Sequence, residues 1–73
     1  MVDTLITDCT SMIDDFDRMG PVEAARHLAI ILNKIAAGRE LAYNNPDLMH
    51  KLKALEIEAI MISDICIHGY PNS

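Results

Sequence analysis

Two prolines, each placed directly after a residue that favours a helix boundary, divide this chain of 73 residues into three segments. Pro21 follows Gly20, and Pro46 follows Asn45, which is a good helix N-cap. Proline suits the first position of a helix and disrupts its interior. Since nothing in the chain alternates like a strand, the sequence predicts one all-α domain over the whole chain. The predicted helices cover residues 4–19, 21–43 and 46–68.

Each segment carries apolar residues at steps of three and four, which is the spacing of one helix face. Only a two-residue break separates the second and third helices, so we expect an antiparallel hairpin with the shorter first helix packed against it. Gly38 lies among good helix formers, and we expect the second helix to continue through it. The predicted seams are Leu5, Cys9, Met12, Phe16 and Met19, then Ala25, Leu28, Leu32 and Ile35, then Leu48, Leu52, Leu55, Ala59, Ile62 and Cys66.

Residues 57–67 are apolar except for Glu58, Ser63 and Asp64. An ordinary surface helix has one apolar stripe, which faces the core. A chain as short as this one has few residues left to cover a second apolar face on the same helix. We therefore expect a homo-oligomer in which another copy covers the surplus face. The alternatives are that a different protein, or the first helix of the same chain, covers this face. The predicted interface consists of Ile57, Ile60, Met61, Ile65 and Ile67.

The formal net charge is −5, from eleven acidic and six basic residues. This balance argues against binding to nucleic acid or to an anionic membrane, since both need a basic surface. The N-terminal region lacks the basic start of a signal peptide, and no apolar run approaches the roughly 18 residues that span a bilayer. Cys9 and Cys66 occupy seam positions and are expected to be reduced core thiols, with a disulfide between them as the alternative. These features predict a cytoplasmic protein.

Four acidic residues lie within the first predicted helix, three of them close to its end, where negative charge opposes the helix dipole. They are Asp8, Asp14, Asp15 and Asp17. This loss of helix stability is more readily tolerated where the carboxylates contact positively charged groups. The cluster therefore predicts a docking site for a basic partner protein. The alternative is a solvated face that keeps an apolar protein soluble. No metal is expected, because the spaced oxygen ligands of a calcium loop are missing.

A second group of side chains lies near the predicted hairpin bend and would suit a small anion or a nucleotide held between subunits. Its members are Arg39, Tyr43, Lys51 and Lys53. Ordinary salt bridging along the helices is the alternative. Of the histidines, His27 and His50 are expected to be exposed. His68 lies four residues after Asp64, a spacing that favours a contact at the helix end.

Catalysis is not expected, and no cofactor is predicted. Neither cysteine has a neighbouring positive charge that would activate it, the serines lie in no nucleophile motif, and the glycines are isolated. The sequence therefore predicts a non-catalytic regulatory or inhibitory module that docks an acidic face on a basic partner. Small acidic helical chains of this kind are frequent among phage and mobile-element regulators, which is an association and no deduction from the residues. The alternative function is a helical homo-oligomer that binds a small anionic ligand between subunits.

Overall fold

The computed structural model describes residues 2–69, which form three α-helices and one 3₁₀ turn. The helices are α1 (Val2–Asp14), α2 (Pro21–Leu41) and α3 (Pro46–His68), and the 3₁₀ turn (Asp15–Arg18) follows α1. Contacts at both ends show that α2 and α3 run antiparallel. Near the connecting turn, Arg39 of α2 binds Glu56 of α3, and at the far end the start of α2 and the end of α3 both reach Phe16. The all-helical prediction is confirmed.

The boundaries of α3, and the start of α2, follow from local chemistry as predicted. The Asn45 side chain accepts a hydrogen bond of 3.2 Å from the backbone N–H of Leu48, which is a regular N-cap. Gly69 ends α3 at φ 79°, a left-handed conformation that costs glycine little, and its N–H donates to the carbonyl of Ile65. Pro21 opens α2. The end of α2 lies at Leu41, two residues before the predicted position.

The first helix is shorter than predicted. α1 ends at Asp14, and the residues expected to continue it form the 3₁₀ turn instead. Met12 is among the last residues of α1, whose carbonyls have no partner within the helix. Its carbonyl oxygen accepts a hydrogen bond from the ring of His27 on α2. His27 therefore provides the hydrogen-bond donor that this carbonyl lacks within α1. The 3₁₀ turn that follows places Phe16 in the core, where it is fully buried.

The core lies where the three helices meet, and its position on α2 differs from the predicted seam. Ala24 and Ile31 are fully buried, whereas Ala25 is exposed and Leu28 and Leu32 are half-buried. α2 packs against both α1 and α3, so its buried face points between them and not along a single seam. The buried apolar residues are Cys9, Ile13, Phe16, Ala24, Ile31, Ile35, Ala42, Leu52, Leu55 and Ala59.

Gly38 lies inside α2, as predicted, and marks a close approach of the other two helices. A Cβ atom at this position would lie 3.0 Å from Cδ2 of Leu5 on α1 and 3.2 Å from Cδ2 of Leu52 on α3. Both distances are shorter than an ordinary carbon–carbon contact. The missing side chain at Gly38 therefore lets leucines from α1 and α3 pack directly on the backbone of α2.

Candidate functional site

The outward face of α3 carries a continuous apolar stripe, which we define as Ile57, Ile60, Met61 and Ile65. Their exposed fractions are 48%, 44%, 61% and 37%. Ile67, the fifth residue of the predicted interface, is half-buried and packs against the core. The stripe spans about two helical turns, so its members are neighbours on the surface. A contiguous apolar patch of this kind is typical of a contact surface.

Ser63 was expected to interrupt the apolar ring of residues 57–67, yet it is buried at 2% exposure. Its hydroxyl donates a 3.0 Å hydrogen bond to the carbonyl of Ile60 in the same helix. A serine that bonds to its own helix carries no unsatisfied polar group into the core. The polar residue therefore faces inward, and the stripe faces solvent.

Charged side chains lie at the two ends of the stripe. Lys53 precedes it, with its Nζ 4.0 Å from Oε1 of Glu56, and both sit on α3. Asp64 lies at the other end, with Oδ1 3.5 Å from Nε2 of His68, which confirms the contact predicted from their spacing. The side chains of Asp64 and His68 are both exposed, so solvent screens this pair strongly.

The predicted acidic residues are all exposed, and within residues 2–69 none of the four forms an ion pair. The structure brings three of them together: Asp14 is the last residue of α1, and Asp15 and Asp17 follow in the 3₁₀ turn. We call these three residues the acidic edge. Asp8 lies about 9 Å back along α1, beside Cys9. The fourth predicted residue is therefore separate from the edge.

A groove of about 410 Å³ lies between the 3₁₀ turn and the C-terminal part of α3. Asp17 of the acidic edge lines one side, and Ile65 of the stripe lines the other. The acidic and apolar surfaces, which sequence reasoning treated as separate, therefore meet in this groove. No spacing signal could have revealed it, because its walls come from opposite ends of the chain. Its lining consists of Phe16, Asp17, Met19, Ile62, Ile65 and Cys66.

His27 is half-buried, whereas the sequence predicted an exposed side chain. Its Nε2 lies 2.6 Å from the carbonyl oxygen of Met12 and must donate, because a carbonyl only accepts. The ring also meets Phe16 edge-on, with centroids 5.1 Å apart and planes at 87°. His27 thus fixes the end of α1 and the start of the 3₁₀ turn, on which the acidic edge lies.

We expect His27→Ala to lower the free energy of unfolding by about 1–2 kcal/mol, because it removes a hydrogen bond and an edge-on aromatic contact. His50→Ala is the matched control, since His50 is exposed on α3 and has no comparable hydrogen bond or aromatic contact among residues 2–69. Its effect should stay within about 0.5 kcal/mol. Urea unfolding followed by circular dichroism measures both. Equal midpoints for the two variants would contradict the role assigned to His27.

Two of the four residues predicted for an anionic ligand approach each other, and they do so at a carboxylate of the same chain. Nη2 of Arg39 donates to Oε1 of Glu56, and Lys53 approaches the same oxygen. Lys51 is two residues from Lys53 and faces another side of α3. Tyr43 is exposed beyond the end of α2. The carboxylate of Glu56 therefore compensates the charges of Arg39 and Lys53. The sequence did not reveal this role of Glu56, because Arg39 lies on another helix.

Both cysteines are free thiols. Burial raises the pKa of the Cys9 thiol above its ordinary value of 9.0, Lys34 opposes this effect, and Asp8 adds to it. Cys66 is half-buried, and its Sγ–H donates to the carbonyl of Phe16 at 3.5 Å. A buried thiol with a raised pKa carries little thiolate at neutral pH and is a poor nucleophile. Cys9 therefore behaves as a core side chain.

Among residues 2–69, no group of three or more His, Cys, Asp or Glu side chains is placed to hold a metal ion. No helix in the described part of the chain combines the length and the apolar character needed to cross a membrane. Comparison with known proteins found no family model, no curated protein and no solved structure that matches the chain.

Proposed function

We propose that this protein is a non-catalytic interaction module that regulates or inhibits a partner protein by docking its acidic edge on a basic surface. The observation that carries the proposal is the shared groove, in which Asp17 and Ile65 line opposite walls. Of the three exposed carboxylates without ion-pair partners among residues 2–69, Asp17 lines the groove, and Asp14 and Asp15 lie within three residues of it in the chain. This combination suits lysine or arginine side chains that surround one apolar side chain of the partner.

The net charge of −5 supports the same partner chemistry. Exposed charges at the rim of an interface mainly accelerate association and select against partners of like charge, and added salt screens them. The apolar part of the contact depends little on salt. A basic partner with an apolar anchor should therefore associate more slowly as the salt concentration rises, while its dissociation changes less.

The proposal includes self-association through the stripe on α3 and a location in the cytoplasm. The stripe exposes four large apolar side chains over two helical turns, which favours cover by protein. The exposed apolar residues of α2 do not form a comparable patch. Val22, Ile30 and Leu41 are each at least two helical turns apart. Two free thiols fit a reducing compartment.

The test is capture of binding proteins from a lysate of the host cells on the immobilised protein, compared among the wild type and two triple variants. Asp14→Asn, Asp15→Asn and Asp17→Asn together should reduce capture of the specific partner by about tenfold or more. The control is Glu23→Gln, Glu40→Gln and Glu58→Gln, which removes the same charge from exposed positions elsewhere. Equal capture by the two triple variants would overturn the proposed docking site.

The alternative function, a small anion held between subunits, needs cations from a second subunit, because Glu56 already compensates Arg39 within one. Arg39→Ala distinguishes the two functions. It should remove anion binding under the alternative and leave partner capture unchanged under the docking proposal. Calorimetric titration with inorganic phosphate and with a nucleoside triphosphate provides the binding measurement.

A further inference from the structure

The outward seam of α3 has a charge pattern that is complementary to itself. Lys53, Ile57, Ile60 and Asp64 follow one another at steps of 4, 3 and 4, which is the spacing of a seam between two packed helices. The seam therefore runs from a cation through two isoleucines to an anion. The lysine and aspartate side chains are 60% and 71% exposed, and the isoleucines are about half exposed.

We infer that α3 packs against α3 of a second copy in antiparallel orientation, with Lys53 of each chain facing the partner's Asp64. In a parallel pair, like charges would face each other at both ends of the seam, which is unfavourable. In the antiparallel pair, both ends gain an attractive contact. The inference rests on the self-association included in the proposed function, and it specifies the geometry of that contact.

The same orientation also aligns the apolar residues. When Lys53 lies opposite the partner's Asp64, Ile57 lies opposite the partner's Ile60, and the two-fold axis repeats both contacts. The centre of the interface then consists of four isoleucines between two ion pairs. A slide by one helical turn would instead place Ile57 against the partner's Asp64 and bury a carboxylate beside an apolar side chain. Charge and apolar packing therefore favour one register.

Neither charged residue gives up a strong contact on pairing. Lys53 is 4.0 Å from Glu56, and Glu56 keeps its bond to Arg39 when Lys53 turns away. Among residues 2–69, Asp64 forms an ion pair only with the exposed His68 of its own helix. The groove also stays accessible, because Ile65 is one residue past Asp64 and lies about 100° around the helix from it. The seam therefore uses Ile57 and Ile60 of the stripe, and it leaves Ile65 to the docking groove.

The experiment measures solution mass by sedimentation velocity and light scattering over a hundredfold range of protein concentration. The variants are Lys53→Glu, Asp64→Lys and the double variant that carries both. Each single variant should raise the dissociation constant of the dimer by about tenfold or more, since like charges then face each other at both symmetric contacts. The double variant should return to within about threefold of the wild type, because it restores both pairs with exchanged signs.

The matched control exchanges the same charges outside the seam, as Lys51→Glu with Glu58→Lys, both at exposed positions of α3. It should leave the dissociation constant unchanged. Circular dichroism verifies that each variant is folded. Should a reversal impair folding, Lys53→Gln and Asp64→Asn replace it, and each is expected to weaken the dimer by about threefold.

The outcomes separate the geometry from the self-association on which it rests. A dimer that both single variants weaken and the double variant restores supports the antiparallel seam. If the wild type dimerises but the single variants leave its dissociation constant unchanged, or the double variant fails to restore it, the antiparallel seam is overturned. Self-association itself is not contradicted by that result. A wild-type chain that is monomeric throughout overturns both. None of these outcomes bears on the proposed docking through the acidic edge, because the capture experiment tests it separately.

Discussion

The Phe16→Ala variant is expected to lose about 3–5 kcal/mol of unfolding free energy. Phe16 is fully buried, and the cavity left by its ring would lie where all three helices meet. Its ring contacts His27 of α2, and its carbonyl accepts the Sγ–H of Cys66 on α3. A domain of this size has a total stability of roughly 4–11 kcal/mol. The substitution therefore removes a large part of the free energy that holds α1 and the 3₁₀ turn against the other helices.

Urea unfolding monitored by circular dichroism measures this loss. Leu41→Ala is the control, because Leu41 is a large apolar residue that is 70% exposed on α2. Its change should stay within about 0.5 kcal/mol. Phe16→Ala should also reduce partner capture at temperatures where the variant is partly unfolded, since the acidic edge depends on the same turn. Similar unfolding midpoints for the two variants would show that Phe16 does not join the helices.

The second large effect is expected for Gly38→Val, which should destabilise the fold by about 1–3 kcal/mol through overpacking. A Cβ atom alone would lie 3.0 Å from a methyl carbon of Leu5 and 3.2 Å from one of Leu52. Valine adds two further methyl groups on a side chain that is stiff in a helix. To accommodate them, α1 or α3 must move away from α2, and the surrounding core loses contacts.

Ala37→Val tests whether the effect comes from packing, because Ala37 is the exposed neighbour on the same helix. It should cost only the lower helix propensity of valine, about 0.5 kcal/mol. Gly38→Ala should fall between the two, since alanine gains about 1 kcal/mol in helix propensity but its Cβ meets the leucines. Thermal unfolding of the three variants gives the comparison. A Gly38→Val variant no less stable than Ala37→Val would contradict the close approach.

Much of the fold could be predicted because the signals for helix ends are local. Asn45 and Gly69 act within four residues of their own position, so the sequence contains the whole cause. The end of α1 could not be predicted in this way. It depends on His27, which is fifteen residues from Met12, whose carbonyl it binds. A sequence pattern shows which carbonyls a helix end exposes, but not which distant side chain will bind them.

The same distinction applies to the candidate site. The acidic cluster and the apolar stripe were visible as patterns, each within one segment. Their meeting at Asp17 and Ile65 depends on how the 3₁₀ turn packs against α3, which no spacing reports. The burial of Ser63 was likewise not visible in the pattern, because its hydroxyl bonds to its own helix. Pattern reasoning therefore found the components of the site but not their arrangement.

The burial of Cys9 makes the motion of one helix measurable without an engineered label. Its thiol is fully covered by the packing of α1 on the other helices, and burial raises its pKa. A thiol reagent can therefore modify it only after α1 has separated from the hairpin of α2 and α3. Where opening and closing are fast compared with modification, the labelling rate gives the free energy of that opening. Comparison with the free energy of global unfolding would then show whether α1 is a separate unit of local unfolding.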